Sequence, residues 1–238
     1  MNDQSVLPKE CSSTNDEISQ VLLYPHSNFV GLYTFNQTKG RGQYGNIWAS
    51  HPEQNLAYTI AVKIQDTKLS DFLFNYYTAA AIREFLAKLT EKVVKIKWPN
   101  DIILANKKVV GILIEKKKFN GENYFIIGSG INILQEKFDE ISNAGSIFTQ
   151  TGKKIDLQSF TKELHEFLVG KFKNIDSEED VLEEFNLNLF RKDEISVFEI
   201  DGKRQNGIIR KADEKGKIWI EFEDETKSFY HKEIKLLY

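Results

Sequence analysis

Apolar positions along the chain change period several times, and each change predicts an element. Thr14-Asn15-Asp16-Glu17 has the spacing of a capping box, with Ile18, Val21 and Leu22 behind it as the apolar face of a helix. Phe29–Gln37 and Leu56–Ile64 are apolar and β-branched enough to be strands. From Ser70 to Leu89, the residues Phe72, Tyr76, Ala79, Ile82, Leu86 and Leu89 recur at spacings of three and four, which predicts a long amphipathic helix. Short strands are expected at Val93–Lys97, Ile102–Leu104, Val109–Lys116 and Tyr124–Ile133. Asn106-Lys107 and Asn120-Gly121 punctuate them, the second a type I′ hairpin signal. Two more helices are expected near Leu157–Phe172 and Glu178–Phe190. Hairpins followed by helices predict an α+β domain with a mixed sheet.

From about Asp193 the pattern shifts to short strands at Ile195–Ile200, Gly207–Lys211, Lys217–Phe222 and Lys227–His231, separated by Asp201-Gly202, Lys215-Gly216 and Asp224. That density of short strands predicts a small β-barrel. The expected division is therefore 1–190 and 191–238. From Asp193 onward the chain carries 9 Lys and Arg against 11 Asp and Glu, which does not favour oligonucleotide binding.

Composition narrows the classes. The 238 residues are 41% hydrophobic and 28% charged, an ordinary globular profile. A net charge of −3 supplies no basic field for DNA or an anionic membrane. A single cysteine, Cys11, excludes disulfides within the chain and fits a reducing, cytoplasmic setting. No signal peptide is expected from the polar N-terminus, and no apolar stretch approaches the ~20 residues of a membrane span. His26, His51, His165 and His231 are scattered without cysteine partners, so a structural zinc site is not expected.

Four segments carry candidate chemistry. Gly40-Arg41-Gly42-Gln43-Tyr44-Gly45 matches the dinucleotide fingerprint literally, yet the next residues are Asn46-Ile47-Trp48-Ala49-Ser50-His51-Pro52. A Rossmann glycine loop must open a helix, and a P-loop needs Lys and Ser or Thr where Asn46 and Ile47 stand. The stretch from Gln37 to Trp48 then reads as a loop whose glycines permit close approach to a ligand and whose Arg41 can fork onto an anion. Ser13-Thr14-Asn15 is either a plain helix cap or a set of small polar groups for an amide or ureido ligand. Lys97-Trp98-Pro99-Asn100-Asp101 is a turn between strands that does not need its Lys-Trp, and Asn100 and Asp101 are candidates to hold magnesium with its phosphates. Lys107-Lys108 precedes a strand with an embedded Gly111. Gly128-Ser129-Gly130-Ile131-Asn132 places glycines inside a strand, where a ligand or another backbone must come close.

The ordered set Ser-Thr-Asn, Gln-x-x-Gly-Arg-Gly, Lys-Trp-Pro-Asn-Asp, Lys-x-x-Gly-Ile-Leu-x-Glu and Gly-x-Gly-Ile-Asn resembles the biotin–protein ligases. The resemblance runs from about Ser13 to the C-terminus and is densest between 13 and 132. It implies a class II synthetase-like mixed sheet followed by an SH3-like barrel. It also implies the reaction: ATP and biotin give biotinyl-5′-AMP, and biotin passes to a lysine of a biotin carboxyl carrier domain. By the same resemblance Ser13, Thr14, Asn15, Gln37, Gly40, Arg41, Gly42, Gln43, Lys108 and Gly111 would surround biotin. Arg41, Trp48, Lys97, Asn100, Lys108 and Asn132 would hold ATP or the adenylate, with Trp48 stacked on adenine. Arg41, Lys108 and Asp101 would be catalytic, and Asp101 would face Mg²⁺. Dimerisation through a sheet edge is a further family expectation. Many members carry a second arginine where Gln43 stands, and a basic residue is frequent where Asn46 stands, so phosphate neutralisation is expected to rest on Arg41, Lys108, Mg²⁺ and Lys39. A preceding winged helix-turn-helix, and with it a repressor role, is not expected. A lipoate or octanoate ligase and a non-catalytic biotin sensor stand as alternatives.

Overall fold

The computed structural model describes residues 4–8, 10–22, 29–138 and 141–238, so His26 lies outside the described residues. In chain order the elements are β1 (Gln4–Val6), α1 (Thr14–Leu22), β2 (Phe29–Thr34), β3 (Asn55–Lys63) and α2 (Asp71–Thr90). Four strands come next: β4 (Val94–Lys97), β5 (Asp101–Leu104), β6 (Lys107–Phe119) and β7 (Glu122–Asn132). Then come α3 (Ile147–Thr151), α4 (Leu157–Lys173) and α5 (Glu178–Leu187). The last strands are β8 (Ile195–Ile200), β9 (Lys203–Ala212), β10 (Ile218–Glu221), β11 (Thr226–Phe229) and β12 (Lys235–Leu237). They fall into two compact units, one of Met1–Lys68 with Lys107–Ile175, the other of Leu69–Asn106 with Asp176–Tyr238.

In the first unit β1, β2, β3, β7 and β6 lie side by side; β1 is parallel to β2 and the other pairs are antiparallel. The register decides what this sheet can hold. Ala57, Gly130 and Gly111 are direct partners across β3, β7 and β6, and the next row is Thr59, Gly128 and Leu113. Three adjacent residues with at most a methyl group leave a shallow trough on one face. Further along the same face Val30, Leu32, Ala61 and Ile126 are large or apolar, and Ile18 and Leu22 of α1 pack onto them as a core. The opposite face of β3 presents Tyr58, whose hydroxyl meets His165 Nδ1 of α4 at 2.8 Å in a buried pair. Burial raises the Tyr58 phenol above its ordinary range.

In the second unit α2 begins at Ser70, whose side chain accepts from the Leu73 amide at 3.3 Å, and stops at Glu91 in left-handed conformation. Tyr76 of α2 stacks on Phe185 of α5 with ring centroids 3.8 Å apart. β4 and β5 form an antiparallel hairpin. The five C-terminal strands are antiparallel in the order β11-β10-β9-β8-β12.

Two expectations need correction. The C-terminal strands make an open sheet with β11 and β12 at its edges, where a closed barrel was expected; it is a small antiparallel sheet of SH3-like kind. Thr14 is not a capping residue. The Ser13 carbonyl accepts the first helical bonds from the Asp16 and Glu17 amides, both at 3.0 Å, while the Thr14 hydroxyl turns toward Gln37 and Thr59. Glu17 reaches back to the Ser12 amide at 2.7 Å instead. Tertiary partners outbid the local cap. The Asn120-Gly121 hairpin is as expected, with positive φ at both residues.

Candidate functional site

The trough of the first unit gathers most of the expected residues. Trp48 ends the loop that comes after β2, and its indole lies across the Gly111–Gly130 pair. A methyl group at Gly111 would stand 2.7 Å from Trp48 Cζ3, and one at Gly130 would run into Nε1 and Cε2. The strand glycines are therefore required by close approach, and the group that approaches is this chain's own tryptophan. The Trp48 amide donates to the Gly40 carbonyl at 3.0 Å, which ties the loop's exit to its entry. Gly40 itself is crowded: a Cβ there would lie 2.7 Å from Gln37 Nε2.

Beside the indole, in the Thr59–Gly128–Leu113 row, the side chain of Asn15 fills the space above Gly128. Polar groups join into one run there. The Thr14 amide donates to Gln37 Oε1 at 2.9 Å; the Thr14 and Thr59 hydroxyls are 2.8 Å apart; Thr59 donates to Asn15 Oδ1 at 2.7 Å. Ser13, Thr14, Asn15 and Thr59 are all buried, so these hydroxyls and amides form a floor and not a solvated surface. Thr59 was not singled out from the sequence. It stands between apolar neighbours in β3, and a lone threonine in a strand is ordinarily unremarked.

At the other end of the trough Asn132 donates through Nδ2 to the Gly145 carbonyl at 3.0 Å, which fixes its amide and leaves Oδ1 buried without a partner. Trp48 Nε1 is likewise buried and unpartnered. Two orphaned groups, one donor and one acceptor, in one trough require an explanation, and a polar ligand supplies it. Lys108 is pinned through its backbone, its amide donating to Asn143 O at 2.7 Å and its carbonyl accepting from Gly145 at 3.0 Å. Its ammonium lies 5.6 Å from the centre of the Trp48 ring.

Arg41 is placed differently from the sequence expectation of a cation aimed at an anionic ligand. It forks onto Asp16 and Glu115, with shortest contacts of 2.7 and 2.9 Å. Desolvation opposes ionisation of Asp16, but the Arg41 and Lys117 charges outweigh it and hold the carboxyl below its usual range. Because that pKa is lowered on folding, the ion pair's contribution is complete above the unfolded carboxyl value near 3.9 and is lost as pH falls through the lower folded value. Wild type and Asp16→Asn therefore differ in denaturant stability at pH 7 by less than about 1 kcal/mol, since both partners are half-exposed. That difference should close in acid; one that grows below about pH 4 contradicts the assignment. Gly42 and Gln43 complete the loop, the Gly42 amide donating to Asn46 O at 2.7 Å and the Asn46 amide to Gln43 O at 3.2 Å.

The remaining three residues sit in the second unit. Lys97 Nζ is 3.6 Å from Asp101 Oδ2 and lies 5.6 Å from the Tyr238 ring centre; Asn100 is buried. Burial, reinforced by the Asp101 charge, pushes the Tyr238 phenol up to about 12. The Trp98–Pro99 peptide is cis, and Trp98 has a packing role: its Nε1 donates to Tyr76 at 3.3 Å and its ring meets His231 edge-on. Among the described residues no three His, Cys, Asp or Glu side chains come together as a metal site, and no helix is long and apolar enough to cross a membrane.

Comparison with known proteins shows the family and the fold. The model of the biotin/lipoate A/B protein ligase family matches residues 11–132, just over half of the chain. The chain belongs to that family. The matched span begins just before the Ser13–Asn15 floor and ends on Asn132, so it encloses the trough, the loop and Lys97–Asp101. Among curated members the chain is 31% identical over 116 residues to the bifunctional ligase/repressor BirA of Escherichia coli, covering 48% of this chain and 36% of that protein. It is 29% identical over 132 residues to the biotin–[acetyl-CoA-carboxylase] ligase of Paracoccus denitrificans, covering 52% and 55%. The matched segment thus spans about a third to a half of these relatives. The biotin protein ligase of Aquifex aeolicus, solved with biotin and ATP, shares the fold with a TM-score of 0.81 at 24% identity, over 100% of this chain and 99% of that one.

Proposed function

We propose that the chain is a biotin–protein ligase that activates biotin with ATP and transfers it to a lysine of a biotin carboxyl carrier domain. The trough carries this reading: a floor of hydroxyls and amides at Thr14, Asn15 and Thr59 suits a ureido ring, and the outer face of Trp48 suits a purine beside the Asn132 acceptor. The Paracoccus denitrificans relative, named a biotin–[acetyl-CoA-carboxylase] ligase, supports the substrate.

In the first step a biotin carboxylate oxygen attacks the α-phosphorus of ATP; the new P–O bond forms as the bond to the β-phosphate oxygen breaks, and pyrophosphate leaves with that electron pair. The carboxylate is already ionised at pH 7, so this step needs positive charge and alignment and no base. Lys108 meets the first need. In the second step the lysine amine attacks the acyl carbon, AMP departs, and the amine gives up a proton. A free lysine is neutral in only about one molecule in 10³ at pH 7. Asp101 is the proposed acceptor of that proton, with selection of the neutral amine as the other route. The donor set does not fit a resident metal, since Asp101 is a single carboxylate paired with Lys97. Magnesium therefore belongs to ATP as the ion that accompanies its phosphates.

Exchange of labelled pyrophosphate into ATP tests the reading. Exchange that requires biotin is the expected result. Exchange with lipoate or octanoate in its place assigns the other branch of the family, and exchange with neither leaves a biotin sensor.

A further inference from the structure

On the reading that the trough activates biotin, we infer that Arg41 is a strut that locks its loop to the floor of the site, and that Glu115 is the positioning residue that holds it. All three guanidinium nitrogens are spent on carboxylates. Nε and Nη2 reach Asp16 at 3.2 and 2.7 Å, while Nη1 and Nη2 reach Glu115 at 3.1 and 2.9 Å. Asp16 belongs to α1 and Glu115 to β6, so one side chain fastens the loop to two elements. Forked arginine–carboxylate contacts fix direction as well as distance. Lys117 Nζ adds contacts of 3.4 Å to Asp16 and 3.8 Å to Glu115. Two cations and two carboxylates cancel, so this cluster presents no net positive charge to a phosphate.

Glu115 also touches the floor. Its Oε2 accepts from Asn15 Nδ2 at 2.9 Å, and Asn15 continues through Thr59 and Thr14 to Gln37. Gln37 is where the loop starts. The loop is therefore held at its root by the floor and at Arg41 by Glu115, with Asn15 common to both routes. Loss of Glu115 frees the loop and at the same time releases the Asn15 amide that faces the ureido position.

A phosphate clamp at Arg41 predicts the opposite sign, which makes the inference testable. The measurements are biotin and ATP dependence of pyrophosphate exchange, and release of preformed biotinyl-AMP, for wild type, Glu115→Gln, Arg41→Met and the double variant. For a strut, Glu115→Gln and Arg41→Met each raise the biotin KM and the release rate by roughly tenfold, as for loss of a charge-assisted hydrogen bond, with much smaller change in ATP KM. The double variant is then no worse than the worse single one. For a clamp, Glu115→Gln lowers the ATP KM, Arg41→Met raises it by roughly tenfold or more, and the biotin KM stays near wild type in both; any of these results overturns the strut. Amide hydrogen exchange reads the same link without substrate: the Gly42 and Trp48 amides, bonded within the loop, should exchange faster in Glu115→Gln, and unchanged rates overturn the inference. Wild-type pyrophosphate exchange that ignores biotin sinks the ligase reading alone and leaves the amide measurement to decide the strut.

Discussion

Lys108→Ala loses biotin-dependent pyrophosphate exchange by roughly 10²- to 10³-fold, the size expected when one preorganised donor to a developing oxyanion is removed. The reasoning starts from charge. Both reactants of the first step are anionic, and the Arg41 guanidinium is balanced by Asp16 and Glu115. Lys108 brings positive charge to the trough from a backbone that cannot drift, because its amide and its carbonyl are both bonded to the 143–145 segment. The stem passes close to Gly111: a methyl group there would lie 3.3 Å from Lys108 Cε. The loss should fall mainly on kcat, since the interaction strengthens as charge builds on the phosphoryl oxygens. Lys108→Arg keeps the charge but not the compact ammonium, and recovers part of the rate. A loss below about threefold in Lys108→Ala removes the residue from the chemical step.

Local rules were sufficient for what is local. The three- and four-residue spacing that ends at Leu89 gives α2 to within a residue of Asp71–Thr90, and Ile195–Ile200 is the span of β8. Asn120-Gly121 gives its turn because the type I′ conformation selects those residues. Short elements escaped. β1 and β12 have three residues each and α3 five, too few for a period to register. The site was legible as a list and not as a set of contacts. Gly111, Gly128 and Gly130 announced that something must come close, but nothing in a one-dimensional pattern says that Trp48 covers two of them and Asn15 the third. Arg41 is the sharper case. A basic residue in a glycine loop reads equally well as a ligand clamp or as one end of an ion pair, and only the fold brings Glu115, 74 positions later, within 2.9 Å. Thr14 shows the same physics in reverse: a strong local motif gives way once Gln37 and Thr59 compete for its hydroxyl.

Gly130→Ala should be as damaging as a direct substitution in the substrate contacts, although it adds one methyl group. Gly130 lies in β7 between β3 and β6, paired with Ala57 on one side and Gly111 on the other, so its backbone cannot retreat without breaking two ladders. The indole must move instead. Trp48 is bonded to the Gly40 carbonyl, so displacing the ring disturbs the loop's entry as well as its exit. Overpacking of this kind costs about 1–3 kcal/mol of stability. Function is hit harder, because the stacking face and the orphaned Nε1 both leave their positions beside Asn132. We expect the ATP KM to rise by roughly 10- to 100-fold, comparable to losing one aromatic–base stack. Gly111→Ala acts in the same direction, its methyl meeting the far edge of the same ring. The decisive comparison is with Trp48→Ala. Once the indole is gone the methyl group at 130 has nothing to strike, so the double variant should match Trp48→Ala in both stability and ATP KM. If the two losses add instead, Gly130 matters for a reason other than Trp48, and the glycine row is not the seat of the indole.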